Sequence, residues 1–182
     1  MSRVFSHLFS GLILSLLLLL FYFPLALLIN RKRKIYFLRH LVIFSFLTTS
    51  FIILFATLLF GNFVESGYRS PVNLWPLAWI RDIDKVGLNQ VFSQLISNIL
   101  MFIPLGLLLP LVFKKLKKFT PTILIISGIS LIIEFHQYFI GRSADITNLI
   151  TNTLGGIIGY GFYSWLNQTF HHKPRWTQIK SK

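Results

Sequence analysis

The stretch IEFHQYFIGRSADITN, residues 133–148, lies where two strongly apolar segments nearly meet. It holds Glu134 and Asp145, two of only five acidic residues in a chain of 182. The apolar residues 149–160, LITNTLGGIIGY, follow directly and include Asn152. Charged groups close to membrane-spanning segments cost free energy to desolvate, so they indicate a functional site or a fixed contact. The stretch therefore predicts two helices joined by a short turn, with the candidate site beside that turn.

The composition predicts a membrane protein. Hydrophobic residues make up 54% of the chain, more than the single core of a soluble domain of this length can bury. The net charge of +13 does not indicate nucleic-acid binding, because the Lys and Arg residues form short runs between apolar segments, a pattern typical of topology determinants. The absence of cysteine excludes disulfides, thiolate metal sites and cysteine nucleophiles. The predicted fold class is an all-α polytopic membrane protein, and no nucleic-acid partner is expected.

Five apolar runs are long enough to cross a bilayer, since about 20 helical residues span a hydrocarbon core of about 30 Å. They occupy residues 8–29, 41–60, 91–113, 121–140 and 145–166, and residues 1–182 are predicted to form one membrane domain. A cleaved signal peptide is disfavoured for the first run by its length, by the lack of a small-x-small cleavage site and by the basic cluster at residues 31–34.

The loop at residues 61–90 is polar by comparison and carries two tryptophans, Trp75 and Trp79. Two interpretations of residues 72–80 stay open: a segment lying in the membrane interface, or an irregular loop anchored by its tryptophans. Either form could cover a site at that face of the membrane.

The basic residues set the predicted orientation. With the amino terminus outside, 13 of the 18 Lys and Arg residues fall in cytoplasmic segments, as the positive-inside rule requires. The amino terminus and the loop at 61–90 are therefore predicted to lie outside, and the basic tail at 167–182 inside.

Three predicted helices bring polar side chains to a similar depth near the outer face. Counted from the helix ends, Glu134 lies about 9 Å deep, and Asn98 and Asn152 about 12 Å. A carboxylate inside a membrane usually faces a bundle interior or a water-filled cavity, so Glu134 is a functional candidate. Gln137 lies one turn further on and shares its face. His136 points elsewhere, and neither a metal ion nor a cofactor is expected.

The turn at residues 141–145 is short, so the fourth and fifth helices are predicted to be antiparallel neighbours. Ser143 or Asp145 could cap the following helix. Arg142 lies beside that helix N-terminus, where it could hold a phosphate or carboxylate. Pairing of Arg142 with Asp145 or Glu134, as a staple of the turn, is the alternative, and both stay open.

One face of the predicted fifth helix carries Asn148 and Asn152 and continues through Gly155 to Gly159. The two glycines form a GxxxG pattern, which lets helices approach closely in lipid. We therefore interpret the glycines as packing residues and the asparagines as part of the candidate site.

Three segments of this chain resemble the VanZ-like family: NLWP at 73–76, SNILMFIPLG at 97–106, and the polar positions from Glu134 to Gly159. Together they cover about residues 72–160. The resemblance implies a bacterial plasma-membrane protein of the cell envelope, associated with lowered sensitivity to the glycopeptide antibiotic teicoplanin. The family often has a second acid where this chain has Asn148. If that acid is needed for chemistry, this member is a weak or altered catalyst.

Two function hypotheses follow, and the sequence does not separate them. The first is a membrane-embedded enzyme that acts on a lipid-linked or cell-wall precursor at the outer leaflet, with Glu134 or Asp145 as the acid or base. The second is a non-catalytic protein that binds a precursor or a glycopeptide antibiotic, or modulates a partner. The candidate substrate-binding residues are the same in both: Arg142, Gln137, Asn98, Asn152 and Asn148.

A small transporter is less consistent with the sequence, because five short spans leave little room for alternating access unless the protein oligomerises. Membrane lipids are expected partners, and a homo-oligomer stays open.

Overall fold

The structure is a computed structural model that describes residues 13, 17, 19–26, 37–59, 72–77, 79–140, 143–173, 176 and 179. Within these residues the named helices are α1 (Phe37–Leu54), α2 (Trp79–Val86), α3 (Leu88–Val112), α4 (Phe119–Phe139) and α5 (Ile146–Phe170). A π-helical turn, Phe55–Leu59, continues α1, and a 3₁₀ turn, Lys114–Leu116, lies between α3 and α4. The described part of the chain contains no named β-strand, so the predicted all-α fold class is confirmed.

Three of the described helices are long and apolar enough to cross a membrane, over Phe37–Thr57, Leu88–Val112 and Phe119–Phe139. The predicted fifth span does form a helix of 25 residues, Ile146–Phe170, but it is not among these three. Its Asn, Thr and Gly residues lower its hydropathy. Most of the predicted first span lies outside the described residues, so the arrangement of five spans stays a prediction.

Helices α3 and α5 form the most extensive helix pair of the described residues, and they run parallel. A Cβ atom at Gly155 would overlap the carbonyl oxygen of Ile99, and one at Gly159 would overlap that of Ile103. Such contacts require glycine, because any side chain would push the backbones apart. The predicted packing role of the GxxxG pattern is confirmed.

Helix α4 runs antiparallel to α5, as the short turn predicts. The hydroxyl groups of Ser127 and Thr153 lie 3.2 Å apart. Further along the pair, the Tyr160 hydroxyl donates to the Lys117 carbonyl at 3.1 Å, just before α4 begins. Residue numbers fall along α4 as they rise along α5, which fixes the direction of the pair.

The apolar core lies between α1, α3, α4 and α5. Phe102 and Ile126 are fully buried in it, and Ile53 of α1 and Ile133 of α4 pack against them. A second cluster towards the other end of the bundle includes Trp176 from the tail. These clusters hold the helices in the register that positions the polar residues described below.

Arg39 joins three segments at that other end of the bundle. Its guanidinium donates to the carbonyl oxygens of Leu111 at 2.6 Å, Val112 at 3.1 Å and Ile179 at 2.8 Å. Carbonyl groups at a helix C-terminus lack hydrogen-bond partners within their own helix, so the guanidinium supplies the donors for the last carbonyl groups of α3. The described lysines Lys114, Lys115, Lys117 and Lys118 directly follow that end.

Residues 72–77 are irregular, and the short helix α2 begins after them, at Trp79. The exposed Trp75 ring lies under the Arg81 guanidinium, 4.8 Å from it, and Trp79 contacts Phe92. An irregular segment therefore leads into a short helix, and both interpretations of its place at the membrane stay predictions. Residues 61–71 lie outside the described part of the chain.

We predict that Gly155→Val destabilises the protein by about 1–3 kcal/mol or more, the usual cost of overpacking, because the opposing atoms belong to backbone. Gly128→Ala and Gly161→Ala are matched controls, since a Cβ at either position meets nothing within 4 Å. Thermal unfolding of the purified protein in detergent measures the change. An unchanged unfolding temperature for Gly155→Val would contradict the close α3–α5 contact.

Candidate functional site

The turn between α4 and α5 is closed by two carboxylates. Asp145 caps α5, because its Oδ1 accepts from the backbone N–H of Thr147 at 2.8 Å. The Glu134 Oε2 atom accepts from the backbone N–H of Asp145 at 2.8 Å. Glu134 is only 6% exposed, so this bond is shielded from solvent. Of the two predicted capping residues, Asp145 is confirmed.

A distant segment pairs with this turn through Asn73. Its backbone N–H donates to the Ala144 carbonyl at 2.8 Å, and its carbonyl accepts from the Ile146 N–H at 3.0 Å, forming an isolated parallel bridge with Asp145. The Asn73 Nδ2 atom donates to Asp145 Oδ2 at 3.2 Å, and the Thr147 hydroxyl donates to the Pro76 carbonyl at 3.3 Å. Both carboxylate oxygens of Asp145 are therefore engaged in holding the turn.

Carboxamides link α3, α4 and α5 deeper in the bundle. Asn98 Nδ2 donates to Asn148 Oδ1 at 2.8 Å and lies 3.5 Å from the Thr151 hydroxyl. Asn152 Nδ2 donates to the Ser130 hydroxyl at 2.9 Å. The Asn152 Oδ1 atom is buried and has no hydrogen-bond partner among the described residues.

Gln137 connects α4 to the π-helical turn after α1. Its Nε2 atom donates to the Thr57 carbonyl at 3.2 Å, and Gln137 is 5% exposed. The Thr57 hydroxyl donates back to the Ile53 carbonyl at 2.6 Å. Turns of π-helix occur frequently at functional sites, because they redirect backbone groups out of the regular helical pattern.

Glu134 lines two cavities of different character. The first, of about 360 Å³, is apolar apart from the turn, and its lining residues are Val72, Asn73, Leu74, Leu131, Glu134, Phe135, Tyr138, Ala144, Asp145, Ile146 and Leu149. The second, of about 320 Å³, is polar, and it is lined by Ala56, Thr57, Gln94, Asn98, Met101, Ile133, Glu134, Gln137, Asn148 and Asn152. We call these the apolar cavity and the polar cavity. One buried carboxylate therefore borders both.

A smaller cavity of about 160 Å³ lies under α2, where Trp79, Gln94, Asp145 and Asn148 are among the lining residues. Gln94 and Asn148 also line the polar cavity. In the described part of the chain, no group of three or more His, Cys, Asp or Glu side chains could hold a metal ion.

The structure brings most of the sequence-predicted site residues together. The predicted catalytic pair lies at the turn, and the carboxamides Asn98, Gln137, Asn148 and Asn152 line the polar cavity. Arg142 lies outside the described residues, so the interpretations of it stay predictions.

Sequence reasoning missed Asn73, Ser130 and Thr57 as members of the site. Ser130 lies one helical turn before Glu134 on the same face, so its spacing could have revealed it. Asn73 belongs to the NLWP segment, which carried the resemblance, but no local pattern indicates which residue it would meet.

Comparison with known proteins identifies the family. Residues 41–167 match the family described as VanZ/LLP1, which is more than two thirds of the 182-residue chain. The chain belongs to the VanZ/LLP1 family. The expected VanZ-like resemblance is therefore confirmed, and with the three apolar helices it makes this a membrane protein.

Protein VanZ of Enterococcus faecium is a similar VanZ-family protein, 39% identical over 83 residues. The match covers 45% of this chain and 51% of that protein, so the chain spans about half the length of the relative it matches. No solved structure matches this chain.

We predict that Asp145→Ala destabilises the protein by about 0.5–2 kcal/mol, the usual cost of a lost N-cap, and that Asp145→Asn costs less, because asparagine caps helices equally well. Ser143→Ala is the matched control at an exposed position in the same turn. Thermal unfolding of the three variants measures the difference. Equal losses for Asp145→Asn and Asp145→Ala would show that the negative charge, rather than the cap, stabilises the turn.

Proposed function

We propose that this VanZ-family protein binds a lipid-linked precursor of the cell envelope at the outer leaflet of the plasma membrane, and thereby contributes to lowered teicoplanin sensitivity. The observation that carries the proposal is the position of Glu134 between the apolar and polar cavities. Such a boundary suits a molecule with a hydrocarbon chain and a polar head group.

The apolar cavity suits the hydrocarbon chain. Leu131 and Phe135 of α4 line it and are 58% and 64% exposed, so it borders the outer surface of the helix bundle, which lipid covers in a membrane protein. Burial of apolar surface there contributes about 25 cal/mol for each Å². The volumes of both cavities lie at the lower end of the range of about 300–1,000 Å³ for small-molecule sites.

The distribution of charge along the bundle supports the outer leaflet. Arg39 and the four lysines between α3 and α4 lie at one end, and Glu134 and Asp145 lie at the other. Basic residues favour the cytoplasmic side. This distribution supports the proposal that the site lies on the outer side and the carboxyl-terminal tail inside.

The structural hydrogen bonds of Asp145 favour binding over catalysis. Its Oδ1 caps α5 and its Oδ2 accepts from Asn73, which leaves Glu134 as the better candidate for acid–base chemistry. Asn148 also stands where the family often has an acid. The enzymatic alternative requires that purified protein convert a lipid-linked wall precursor and that Glu134→Gln abolish the conversion. Either result, turnover or no turnover, separates the two functions.

We predict that Leu131→Trp weakens binding of a polyprenyl-diphosphate-linked wall precursor by about tenfold, or 1.4 kcal/mol, because the larger ring fills the apolar cavity. Leu124→Trp is the matched control: it lies two turns earlier on α4, is similarly exposed and lines none of the cavities described above. Equilibrium binding to full-length protein in lipid nanodiscs measures the effect, and teicoplanin sensitivity of expressing cells should change in parallel. Equal affinities of both variants would contradict the proposed chain site.

We predict that a membrane-impermeant maleimide labels Ser143→Cys in intact cells, and labels Lys115→Cys only after permeabilisation. The chain has no native cysteine, so each variant carries a single thiol, and both positions are exposed. The opposite labelling pattern would place the site at the cytoplasmic face and contradict the outer-leaflet proposal.

A further inference from the structure

We infer that the polar cavity binds an uncharged, hydroxyl-rich head group, chemically a sugar, with one ligand hydroxyl paired to the carboxamide of Asn152. The inference rests on the proposed function and deepens it, because it names the class of group that the polar cavity holds, beyond any phosphate that links this group to the hydrocarbon chain. It depends on the polar side chains of α3, α4 and α5 that line the polar cavity.

Asn152 is the first observation. Its side chain lines the polar cavity, its residue is only 3% exposed, and its Oδ1 atom has no partner within the described chain. A buried carboxamide oxygen without a hydrogen bond is costly, and such atoms are rare in folded proteins. A hydrogen-bond donor in the polar cavity, either a water or a ligand that displaces it, removes this cost.

A hydroxyl suits Asn152 better than a group that only donates or only accepts. The Ser130 hydroxyl, the partner of Asn152, can itself donate or accept. The carboxamide can therefore turn over and present either its oxygen or its amide group away from Ser130. A ligand hydroxyl pairs with Asn152 in both orientations, because it too donates and accepts.

The rest of the cavity points to the same chemistry. Four further carboxamides line it, those of Gln94, Asn98, Gln137 and Asn148, and each presents donors and acceptors. None of its lining residues in the described chain is Lys or Arg, so it offers no positive charge for a phosphate. Glu134 adds an acceptor, which suits hydroxyl and amide donors. The lining therefore matches a ligand with several hydroxyl groups.

The polar cavity is larger than the space that one ordered water fills. At about 30 Å³ for each water, a volume of about 320 Å³ corresponds to about ten waters. A head group of sugar size would displace a cluster of this kind and replace its hydrogen bonds.

The test measures binding of a panel of dodecyl glycosides to the full-length protein in phospholipid nanodiscs. The panel carries glucose, N-acetylglucosamine and maltose, and the reference probe is an ethylene glycol ether with the same dodecyl chain. We expect at least one glycoside to bind about tenfold more tightly than the ether, the value of one well-formed hydrogen bond in a buried site. Equal binding of every glycoside and the ether would overturn the inference.

Asn152→Leu should abolish the preference for glycosides and leave binding of the ether unchanged. Ser130→Ala is the matched control, because it removes the partner of Asn152 and keeps the carboxamide in the cavity. If Asn152→Leu does not fold, Gln94→Leu replaces it, because Gln94 lines the cavity and is exposed on α3. The control for this variant is Ser97→Ala, at an exposed position one helical turn further along α3. A glycoside preference that survives Asn152→Leu would overturn the inference, and where that variant does not fold, a preference that survives Gln94→Leu would overturn it.

The outcomes separate this inference from the proposed function. Glycoside preference that depends on Asn152, without binding of the lipid-linked wall precursor, supports the sugar site and contradicts the proposed ligand. If polyprenyl diphosphate alone binds as tightly as the precursor, and Asn152→Leu changes neither affinity, the result supports the proposed function and contradicts the sugar site.

Discussion

The hydrogen bond between the Asp145 N–H and the Glu134 carboxylate, at 2.8 Å, is the interaction on which this end of the bundle depends. It joins the end of α4 to the start of α5, and Asp145 in turn caps α5 and pairs with Asn73. The end of α4, the start of α5 and the distant segment at Asn73 therefore meet at Asp145. In surroundings of low dielectric such a charge-assisted bond is stronger than in water, so it can define the two cavities on either side of Glu134.

The polar cavity also depends on close backbone contact. Gly155 and Gly159 let α5 lie against α3, and this register brings Asn98 to Asn148 and leaves Asn152 facing Ser130. The polar residues and glycines of α5 form an inner wall of the site and pack against α3. The same residues lower the hydropathy of α5, which is not among the three helices apolar enough to cross a membrane.

Much of this arrangement follows from sequence. Helical spacing and the short turn predicted the antiparallel α4–α5 pair and a cap from Ser143 or Asp145, because these depend on local geometry. The bridge between Asn73 and Asp145 could not be predicted, since it joins residues 72 positions apart and no local pattern specifies its partner. The π-helical turn after α1 was not predicted either, and the Thr57 carbonyl in it accepts a hydrogen bond from Gln137 of α4.

The central claim is that one amphiphile occupies both cavities and passes Glu134. The most direct measurement is an electron cryomicroscopy structure of the full-length protein in lipid nanodiscs with a polyprenyl-diphosphate-linked wall precursor. The account predicts hydrocarbon density against Leu131 and Leu149 that continues past Glu134 into head-group density beside Asn152. Precursor density bound elsewhere, with both cavities unchanged, would contradict it.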